Sequence, residues 1–264
     1  MSSTVTDTTT APSSADAVPP PTVIPLHVRV DDQPEAQVLR FQCDWDVGIG
    51  GSIWTSGQIL AEHLQLQQKR YGPLFRGKRV VELGSGTGYV GLMTAVCFEP
   101  ASVYLTDLAS HVACLERNVA LNASVLRPGV RVHVTELAWG SASQETALLS
   151  SFEQDSDQSS SCATAADADA QVDIILGTDV AYLRELYEPL LHTLRHIATA
   201  QTLILLGLNR ADTGIEFFER LAQDGFEYYK IPDEQLHGDY HGKDFGLFEI
   251  RRCKSLSGST RLAN

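Results

Sequence analysis

Residues 80–91, VVELGSGTGYVG, form the stretch that most constrains the fold of this chain. A run of apolar residues with one glutamate leads into a segment that has four glycines within eight residues. β-Branched residues stopped by glycine predict a buried strand, and the apolar residues at 89–98 predict a helix after it. Because glycine lacks a Cβ atom and reaches positive φ, the turn between strand and helix can bring bare backbone against a ligand.

Apolar strands and helices alternate along the rest of the chain. We predict strands at 78–84, 102–107, 130–137, 172–179 and 202–208, and helices at 57–70, 89–98, 110–123, 183–198 and 213–225. Strands that are apolar throughout and separated by helices indicate a parallel sheet covered on both faces. No helix separates the last two strands, predicted at 226–232 and 244–252, which indicates an antiparallel pair. The sequence therefore predicts an α/β fold with a Rossmann-like, doubly wound, mostly parallel seven-stranded sheet that ends in this pair.

Four segments do not fit the alternation. Residues 1–25 are rich in Ser, Thr, Ala and Pro, and residues 141–171 are rich in Ser and Ala, with six acidic residues and no basic one. Neither has enough apolar residues to offset the entropy of ordering. We therefore predict a disordered tail over 1–25, a domain over 26–254 that contains an acidic loop at 141–171, and a flexible C-terminus over 255–264. Within the domain, residues 26–50 show no clear pattern.

The composition argues against several classes of protein. No apolar run is long enough to cross a bilayer, and the N-terminus lacks the basic and apolar regions of a secretory signal. The five cysteines are scattered without a C-x-x-C pair, which argues against disulfides or a zinc site and for the cytoplasm or the nucleus. The net charge is −13 without a basic cluster, so we expect a protein partner rather than nucleic acid. The histidines show no metal-binding spacing with acidic residues.

Two ligand-binding motifs could account for the glycine turn. The dinucleotide fingerprint G-x-G-x-x-G, counted from Gly84, needs a small residue at position 89, where the chain has Tyr89. A frame shifted by two residues fits, with Asp107 as its acid, but it begins after the strand has already turned. The other pattern is the E-x-G-x-G-x-G of class I S-adenosylmethionine-dependent methyltransferases, with Glu82 as its acid. A turn without any ligand is the third alternative.

Four further segments distinguish these alternatives. They are GGSIWTSGQILAEHL at 50–64, YLTDL at 104–108, ELAWG at 136–140 and GTDVAYL at 177–183. With the glycine turn, and in this order, they resemble the seven-strand protein-lysine methyltransferases that carry a D-x-x-Y motif and modify chaperones, AAA ATPases and translation elongation factors. The resemblance covers residues 45–252. It implies an S-adenosylmethionine-dependent enzyme that methylates the side-chain amine of lysine in a protein substrate, and we expect it to act as a monomer.

Two other functions fit the same fold. A related methyltransferase could act on a small molecule or on nucleic acid, although no N-P-P-Y-like motif follows the fourth strand. A binding module could keep the fold without catalysis, although Asp107 and the D-x-x-Y residues are intact.

The resemblance assigns cofactor contacts residue by residue. Glu82 and the glycines would surround the amino-acid end of S-adenosylmethionine, together with Trp54 at its methionine end. Asp107 would bind the ribose, Trp139 would lie beside the adenine, and Thr178 would lie along the edge of the cofactor. The full set of expected cofactor-binding residues is Trp54, Glu82, Gly84, Ser85, Gly86, Gly88, Asp107, Trp139 and Thr178. The resemblance implies no metal.

The same resemblance assigns Asp179 and Tyr182 of the D-x-x-Y motif to the substrate lysine, as the catalytic pair. We expect them to lie one helical turn apart after the fourth strand. Each has a plainer interpretation, since Asp179 could cap a helix that begins near Leu183 and Tyr182 could simply pack. Asp107 could likewise cap the next helix, and the two tryptophans could be ordinary core residues.

Overall fold

The computed structural model describes residues 22–30, 35–157 and 171–253. In these residues the strands are β1 (Val23–Val28), β2 (Gln37–Gln42), β3 (Arg79–Leu83), β4 (Ser102–Asp107), β5 (Arg131–Glu136), β6 (Ile174–Thr178), β7 (Leu203–Asn209), β8 (Phe226–Lys230) and β9 (Phe245–Arg252). The α-helices are α1 (Thr55–Leu66), α2 (Gln68–Phe75), α3 (Tyr89–Cys97), α4 (Ala109–Leu121), α5 (Ala142–Asp157), α6 (Tyr187–Ile197) and α7 (Ile215–Gln223). The predicted C-terminus and most of the predicted tail lie outside the described residues.

The central sheet has seven strands in the order β5-β4-β3-β6-β7-β9-β8. The first five of these pair in parallel, and β9 pairs antiparallel with both β7 and β8. The predicted fold class is therefore confirmed, including the antiparallel end of the sheet. Strands β6 and β7 are buried along almost their whole length because helices cover both faces.

The hydrophobic core lies on both faces of this sheet. On one face α1 and α3 contribute residues such as Leu60 and Leu92, and on the other α6 and α7 contribute Leu190 and Phe217. Within the described parts of the chain, no helix has the length and apolar character needed to span a membrane.

The direction of the strand order reverses between β3 and β6. The chain passes from β3 to β4 to β5 along one side of the sheet and then crosses to β6 on the other side of β3. In a doubly wound sheet such a reversal opens a crevice at the carboxyl ends of the strands. The glycine turn follows β3 and Asp179 follows β6, so both lie at this crevice.

An antiparallel hairpin, β1 and β2, occupies the segment in which the sequence showed no clear pattern. It includes residues 23–25, for which the prediction of a disordered tail is wrong. The buried side chains of Asn118 in α4 and of Asn122, the residue that follows this helix, accept hydrogen bonds from the backbone N–H groups of Gln42 and Arg40, both at 2.8 Å. These bonds fix the hairpin on α4, and with it the start of the segment that leads across the crevice to α1.

The prediction of a loop over 141–171 is wrong for Ala142–Asp157, which form α5. Leu148 and Phe152 lie one helical turn apart on this helix, are almost fully buried and join the core beside α6. Glu145 is completely buried and accepts a hydrogen bond of 2.6 Å from the hydroxyl of Thr193 in α6. The helix is therefore part of the folded domain, while residues 158–170 lie outside the described residues.

Candidate active site

A cavity of about 760 Å³ opens at the carboxyl ends of β3, β4 and β6. Every residue that the sequence assigned to the site lines it, except Gly88. That glycine precedes α3 with φ at +77°, and a Cβ atom there would lie 3.2 Å from Leu105 and 3.3 Å from Leu115. Gly88 therefore lets the chain turn into α3 while packed against the core, and it does not itself line the cavity.

The glycine turn presents bare backbone to the cavity. Gly84 and Gly86 have φ of +61° and +55°, which disfavour any other residue. A Cβ atom at Gly84 would lie 3.0 Å from the ring of Trp139, and one at Gly86 would lie 2.5 Å from the carbonyl oxygen of Gly50. The turn is thus enclosed by the 136–140 segment on one side and by the segment before α1 on the other.

Asp107, the last residue of β4, is tied to this turn. One carboxylate oxygen, Oδ2, accepts the backbone N–H of Gly86 at 2.8 Å, and Oδ1 accepts that of Leu108 at 2.8 Å. Nδ1 of His111 lies 3.4 Å from Oδ1, and Nε2 of that buried ring has no hydrogen-bond partner among the described residues. The carboxylate is therefore held in place at the cavity wall, where a ligand hydroxyl could donate to it.

Glu82 is the most unusual ionisable group of the site. Its side chain is 2% exposed, and burial raises the pKa of the carboxyl to about 8, while N–H groups of Gly91 and Val90 and the hydroxyl of Ser85 lower it by less. No described residue donates to its Oε2 atom. A buried carboxyl with an unpartnered oxygen is costly, and it fits a cationic amino group such as that of S-adenosylmethionine.

The two tryptophans lie on opposite walls. Trp54 immediately precedes α1, is 42% exposed and donates its indole N–H to the carbonyl of Ile49 at 2.8 Å. Trp139 is half-buried, and the backbone N–H of the next residue, Gly140, donates to the hydroxyl of Thr193 at 2.9 Å. Neither tryptophan is an ordinary core residue, because both line the cavity.

The segment that carries Trp139 is held by α5. The backbone N–H of Ala138 donates to the side chain of Gln144 at 2.7 Å, and Thr193, which binds Gly140, is itself bound to Glu145. These contacts were missed in the sequence because the composition of 141–171 resembles that of a loop. The spacing of apolar residues four apart within α5 is the signal that could have found them.

Asp179 lies just beyond β6 in a backbone conformation that is rare for residues other than glycine, with φ at +52°. Its Oδ1 accepts the hydroxyl of Ser56 at 2.7 Å and the backbone N–H of Asn209 at 3.1 Å. Burial raises the pKa of this carboxyl above its usual value, and the bonds from Ser56 and Asn209 oppose the shift. A strained conformation and a partly desolvated carboxylate together are typical of a functional residue.

Tyr182 shares the cavity with Asp179, but the expected helical turn between them is wrong. Residues 179–183 form bends and turns, and α6 begins only at Tyr187 after a short 3-10 helix, Arg184–Leu186. Asp179 therefore does not cap a helix near Leu183. Tyr182 is half-buried, and its hydroxyl has no hydrogen-bond partner within the described parts of the chain.

The charge of the cavity is one-sided. Four acidic side chains line it, those of Glu82, Asp107, Asp179 and Asp212, and no Lys or Arg is found among the described residues that line it. Glu82, with a pKa of about 8, becomes fully charged at neutral pH only beside a cation. A low-dielectric cleft lined by one sign of charge attracts ligands of the other sign. In residues 22–30, 35–157 and 171–253 no cluster of three or more His, Cys, Asp or Glu side chains is arranged to hold a metal ion. Cationic organic groups are therefore the ligands that this cavity favours.

Comparison with known sequences finds similarity to lysine methyltransferases. A family model described as lysine methyltransferase matches residues 33–153 and 162–224. The chain is 31% identical to protein N-lysine methyltransferase METTL21A of Danio rerio, over 82% of this chain and 84% of that protein. It is 29% identical to EEF1A lysine methyltransferase 3 of Mus musculus, over 86% of each.

Among solved structures, the 16S rRNA N2 G1207 methyltransferase RsmC of T. Thermophilus, in complex with AdoMet and guanosine, matches with a TM-score of 0.54. The alignment covers 89% of this chain and 52% of that one, at 17% sequence identity. At such low identity the likeness shows the fold alone.

Proposed function

The chain belongs to the lysine methyltransferase family, and we propose how its cavity is divided between S-adenosylmethionine and the substrate lysine. The protein is a protein-lysine N-methyltransferase that uses S-adenosylmethionine. The observation that carries the proposed division is the one-sided charge of the cavity. Both the cofactor and a lysine side chain are cations, and the four acidic side chains of the cavity lie in two pairs, Glu82 with Asp107 and Asp179 with Asp212.

The cofactor half of the cavity lies at the ends of β3 and β4. Glu82 would meet the amino group, the backbone of Gly84–Gly86 would border the amino-acid end, and Asp107 would accept the ribose hydroxyls. Trp139 and Trp54 would cover the adenine and methionine ends, and Thr178 would lie along the edge. When bound, S-adenosylmethionine supplies a methyl group carried on a positively charged sulfur.

The lysine half lies beyond β6, where Asp179 and Tyr182 line the same cavity. A free lysine side chain has a pKa near 10.4, so only about one in a few thousand is an uncharged amine at neutral pH. Asp179 attracts and orients the ammonium group, and the ring of Tyr182 excludes water from it. The ammonium group loses its proton to Asp179 or to a water, directly or relayed through the hydroxyl of Tyr182, before the nitrogen can attack.

We propose EEF1A as the first protein to test as substrate. What supports this choice is the name of the relative from Mus musculus, which is aligned over most of both chains. EEF1A is an elongation factor, and elongation factors are one of the three substrate classes of the enzymes that the sequence resembles. We further propose that the protein acts as a monomer, and that it does so in the cytoplasm or nucleus, where scattered cysteines without a C-x-x-C pair stay reduced.

A labelling experiment tests both the reaction and the substrate. The purified chain is incubated with methyl-labelled S-adenosylmethionine and, in separate tubes, unmethylated EEF1A, a heat-shock chaperone, the valosin-containing AAA ATPase and total RNA. Label on a lysine of EEF1A, located by mass spectrometry, is the expected result. Label on a chaperone or ATPase lysine instead would refute the choice of substrate, and label in RNA alone would refute the proposed lysine site.

A further inference from the structure

Ser56 connects the first turn of α1 to the residue that we assign to the lysine. It is the second residue of α1, its side chain is 1% exposed, and its hydroxyl donates to Oδ1 of Asp179 at 2.7 Å. Ser56 is the only side chain of the described residues that donates to this carboxylate. No sequence motif singled it out, because the partner is more than a hundred positions away.

The same helix terminus stabilises the negative charge of Asp179 through its backbone. Trp54, at the N-cap position of α1, makes no side-chain capping bond, and the backbone N–H of Ser56 contributes to lowering the pKa of the Asp179 carboxyl. A carboxylate at a helix N-terminus is favoured by the orphan N–H groups and by the helix dipole. The carboxylate of Asp179 thus acts as a cap of α1, although Asp179 lies in a distant part of the sequence.

Both hydrogen bonds from Ser56 Oγ and Asn209 N fall on the same oxygen of Asp179. With Oδ1 engaged in this way, the carboxylate is held between the start of α1 and the end of β7. Burial and the nearby carboxylate of Asp212 raise the pKa of Asp179, whereas the donors from Ser56 and Asn209 lower it and so favour the charged form.

We propose that Ser56 is a positioning residue that fixes the orientation of the Asp179 carboxylate and keeps it ionised for the incoming lysine. The role of Ser56 in catalysis rests on the proposed function of Asp179, whereas the effect of Ser56 on the pKa and orientation of the Asp179 carboxyl does not. Because α1 begins directly after Trp54, the helix that sets the lysine site also begins at the wall of the cofactor site.

The direct test measures the carboxyl of Asp179 without any substrate. Carbon-13 NMR of protein labelled at aspartate carboxyls follows its titration, and the signal is assigned by its absence in Asp179→Asn. In Ser56→Ala the pKa of Asp179 should rise by roughly one unit, as expected for one lost hydrogen bond to an ionised group. Ser56→Thr, which keeps a hydroxyl, should restore the wild-type titration. An unchanged titration in Ser56→Ala would overturn the proposal.

Ser102 provides the matched control. It is a fully buried serine at the start of β4, at the other end of the strands, and its hydroxyl has no partner among the described residues. Ser102→Ala should leave the Asp179 titration unchanged. A shift as large as that of Ser56→Ala would show a general effect of losing a buried serine and would also overturn the proposal.

Kinetics then separate this proposal from the assignment of Asp179. The methyl acceptor is the protein substrate that takes up label. In Ser56→Ala the acid limb of the pH profile of kcat/KM should move to higher pH by as much as the pKa of Asp179 rises, and the Kd of S-adenosylmethionine should stay unchanged. A shifted titration together with an unshifted pH–rate profile would support the role of Ser56 on the carboxyl and refute the role of Asp179 in handling lysine.

Discussion

Oδ2 of Asp107 accepts the backbone N–H of Gly86 at 2.8 Å, which ties the end of β4 to the glycine turn that follows β3. Asp107, which we propose binds the ribose of S-adenosylmethionine, therefore also fixes the backbone of the glycine turn, which we propose borders the amino-acid end of the cofactor. Together with two hydrogen bonds between Ser85 and Thr106, both at 2.9 Å, this bond joins the ribose end and the amino-acid end of the proposed cofactor site.

Asp107→Ala should weaken the binding of S-adenosylmethionine because it removes the acceptor for the ribose and releases the turn at Gly86. Hydrogen bonds to a charged group contribute about 1.5–3 kcal/mol, so we expect the Kd from calorimetry to rise roughly 10- to 100-fold. The circular dichroism spectrum should stay that of the wild type.

Asp173→Ala is the matched control for this change. Asp173 also accepts a backbone N–H, that of Arg79 at 2.9 Å, and it pairs with Lys78, but it lies at the amino ends of the strands, away from the cavity. An equal loss of cofactor affinity in both variants would contradict a local role of Asp107.

Binding of S-adenosylmethionine should release a proton from Glu82. With a pKa of about 8, this carboxyl is mostly protonated at pH 7 in the free protein. A cationic amino group beside it favours the ionised form, so up to about one proton should leave on binding. Calorimetry at pH 7 in buffers of different ionisation enthalpy measures this number. Glu82→Gln should abolish the release, and a wild-type protein that releases none would contradict the contact.

The same group should make the free protein less stable as the pH rises. The pKa of Glu82 is raised from 4.5 to about 8 on folding, so the folded state binds more protons than the unfolded state between these values. The free-energy cost of ionising the Glu82 carboxyl in the folded state is absent below about pH 4.5, grows between pH 4.5 and 8 and reaches its full value above about pH 8. In urea titrations Glu82→Gln should show a flatter free energy of unfolding across pH 5–8, and identical curves would refute the shift.

The fold could be predicted from sequence where burial is complete. Strands such as β6 and β7 are buried on both faces, so their apolar runs are unbroken and easily recognised. The hairpin was missed because its strands are only half-buried and β1 contains Pro25, which weakens the alternating pattern. Helix α5 was missed for a related reason, since Leu148 and Phe152 are a small apolar minority in a segment rich in Ser and acidic residues.

The candidate site was predicted where function requires a local motif. The glycine turn and the D-x-x-Y residues lie in short segments that follow strands, so their positions follow from the order of strands. Contacts such as that of Ser56 with Asp179 depend on the packing of α1 against β6 and β7, which no local pattern encodes. The positive φ of Asp179 was equally hidden, because the same motif would fit a helix start.

Glu145→Ala should destabilise the protein, because it empties a completely buried position and removes the shorter of two acceptor contacts of the Thr193 hydroxyl, whose other acceptor is the carbonyl of Pro189 at 3.2 Å. Loss of a typical hydrogen bond costs about 0.5–1.5 kcal/mol, measurable as a lower midpoint in urea. Cofactor affinity should fall as well, since Thr193 holds Gly140 next to Trp139. Glu219→Ala, at an exposed position of α7, should change stability by less than about 0.5 kcal/mol. Equal stabilities of the two variants would show that the contacts of Glu145 contribute nothing measurable to the fold.

Substitutions of Tyr182 separate its ring from its hydroxyl. If the ring serves to exclude water, Tyr182→Phe should lower kcat/KM less than about 10-fold, and Tyr182→Ala should lower it far more. If the hydroxyl relays the lysine proton, Tyr182→Phe alone should cost roughly 100-fold or more. Tyr229→Ala, at an exposed position of β8, is the control and should not change the rate.

Asp179→Asn separates substrate handling from cofactor binding and from folding. The amide oxygen can still accept from Ser56 and Asn209, and asparagine tolerates the positive φ, so the shape of the site is kept. Because a partly buried charge is replaced by a neutral group, the melting temperature at neutral pH should be unchanged or higher. The Kd of S-adenosylmethionine should also stay unchanged, while kcat/KM for the protein substrate falls strongly.

The pH dependence of Asp179→Asn then identifies which function of Asp179 is lost. If Asp179 accepts the proton, raising the pH should recover part of the rate, because a larger fraction of the lysine arrives as free amine. If it attracts the ammonium group, raising the pH should recover little, because the site has lost its affinity for the cation, which appears as a raised KM. Wild-type turnover by Asp179→Asn at every pH would refute both roles. The positive φ and the bond from Ser56 would then serve only to anchor α1 at the end of β6.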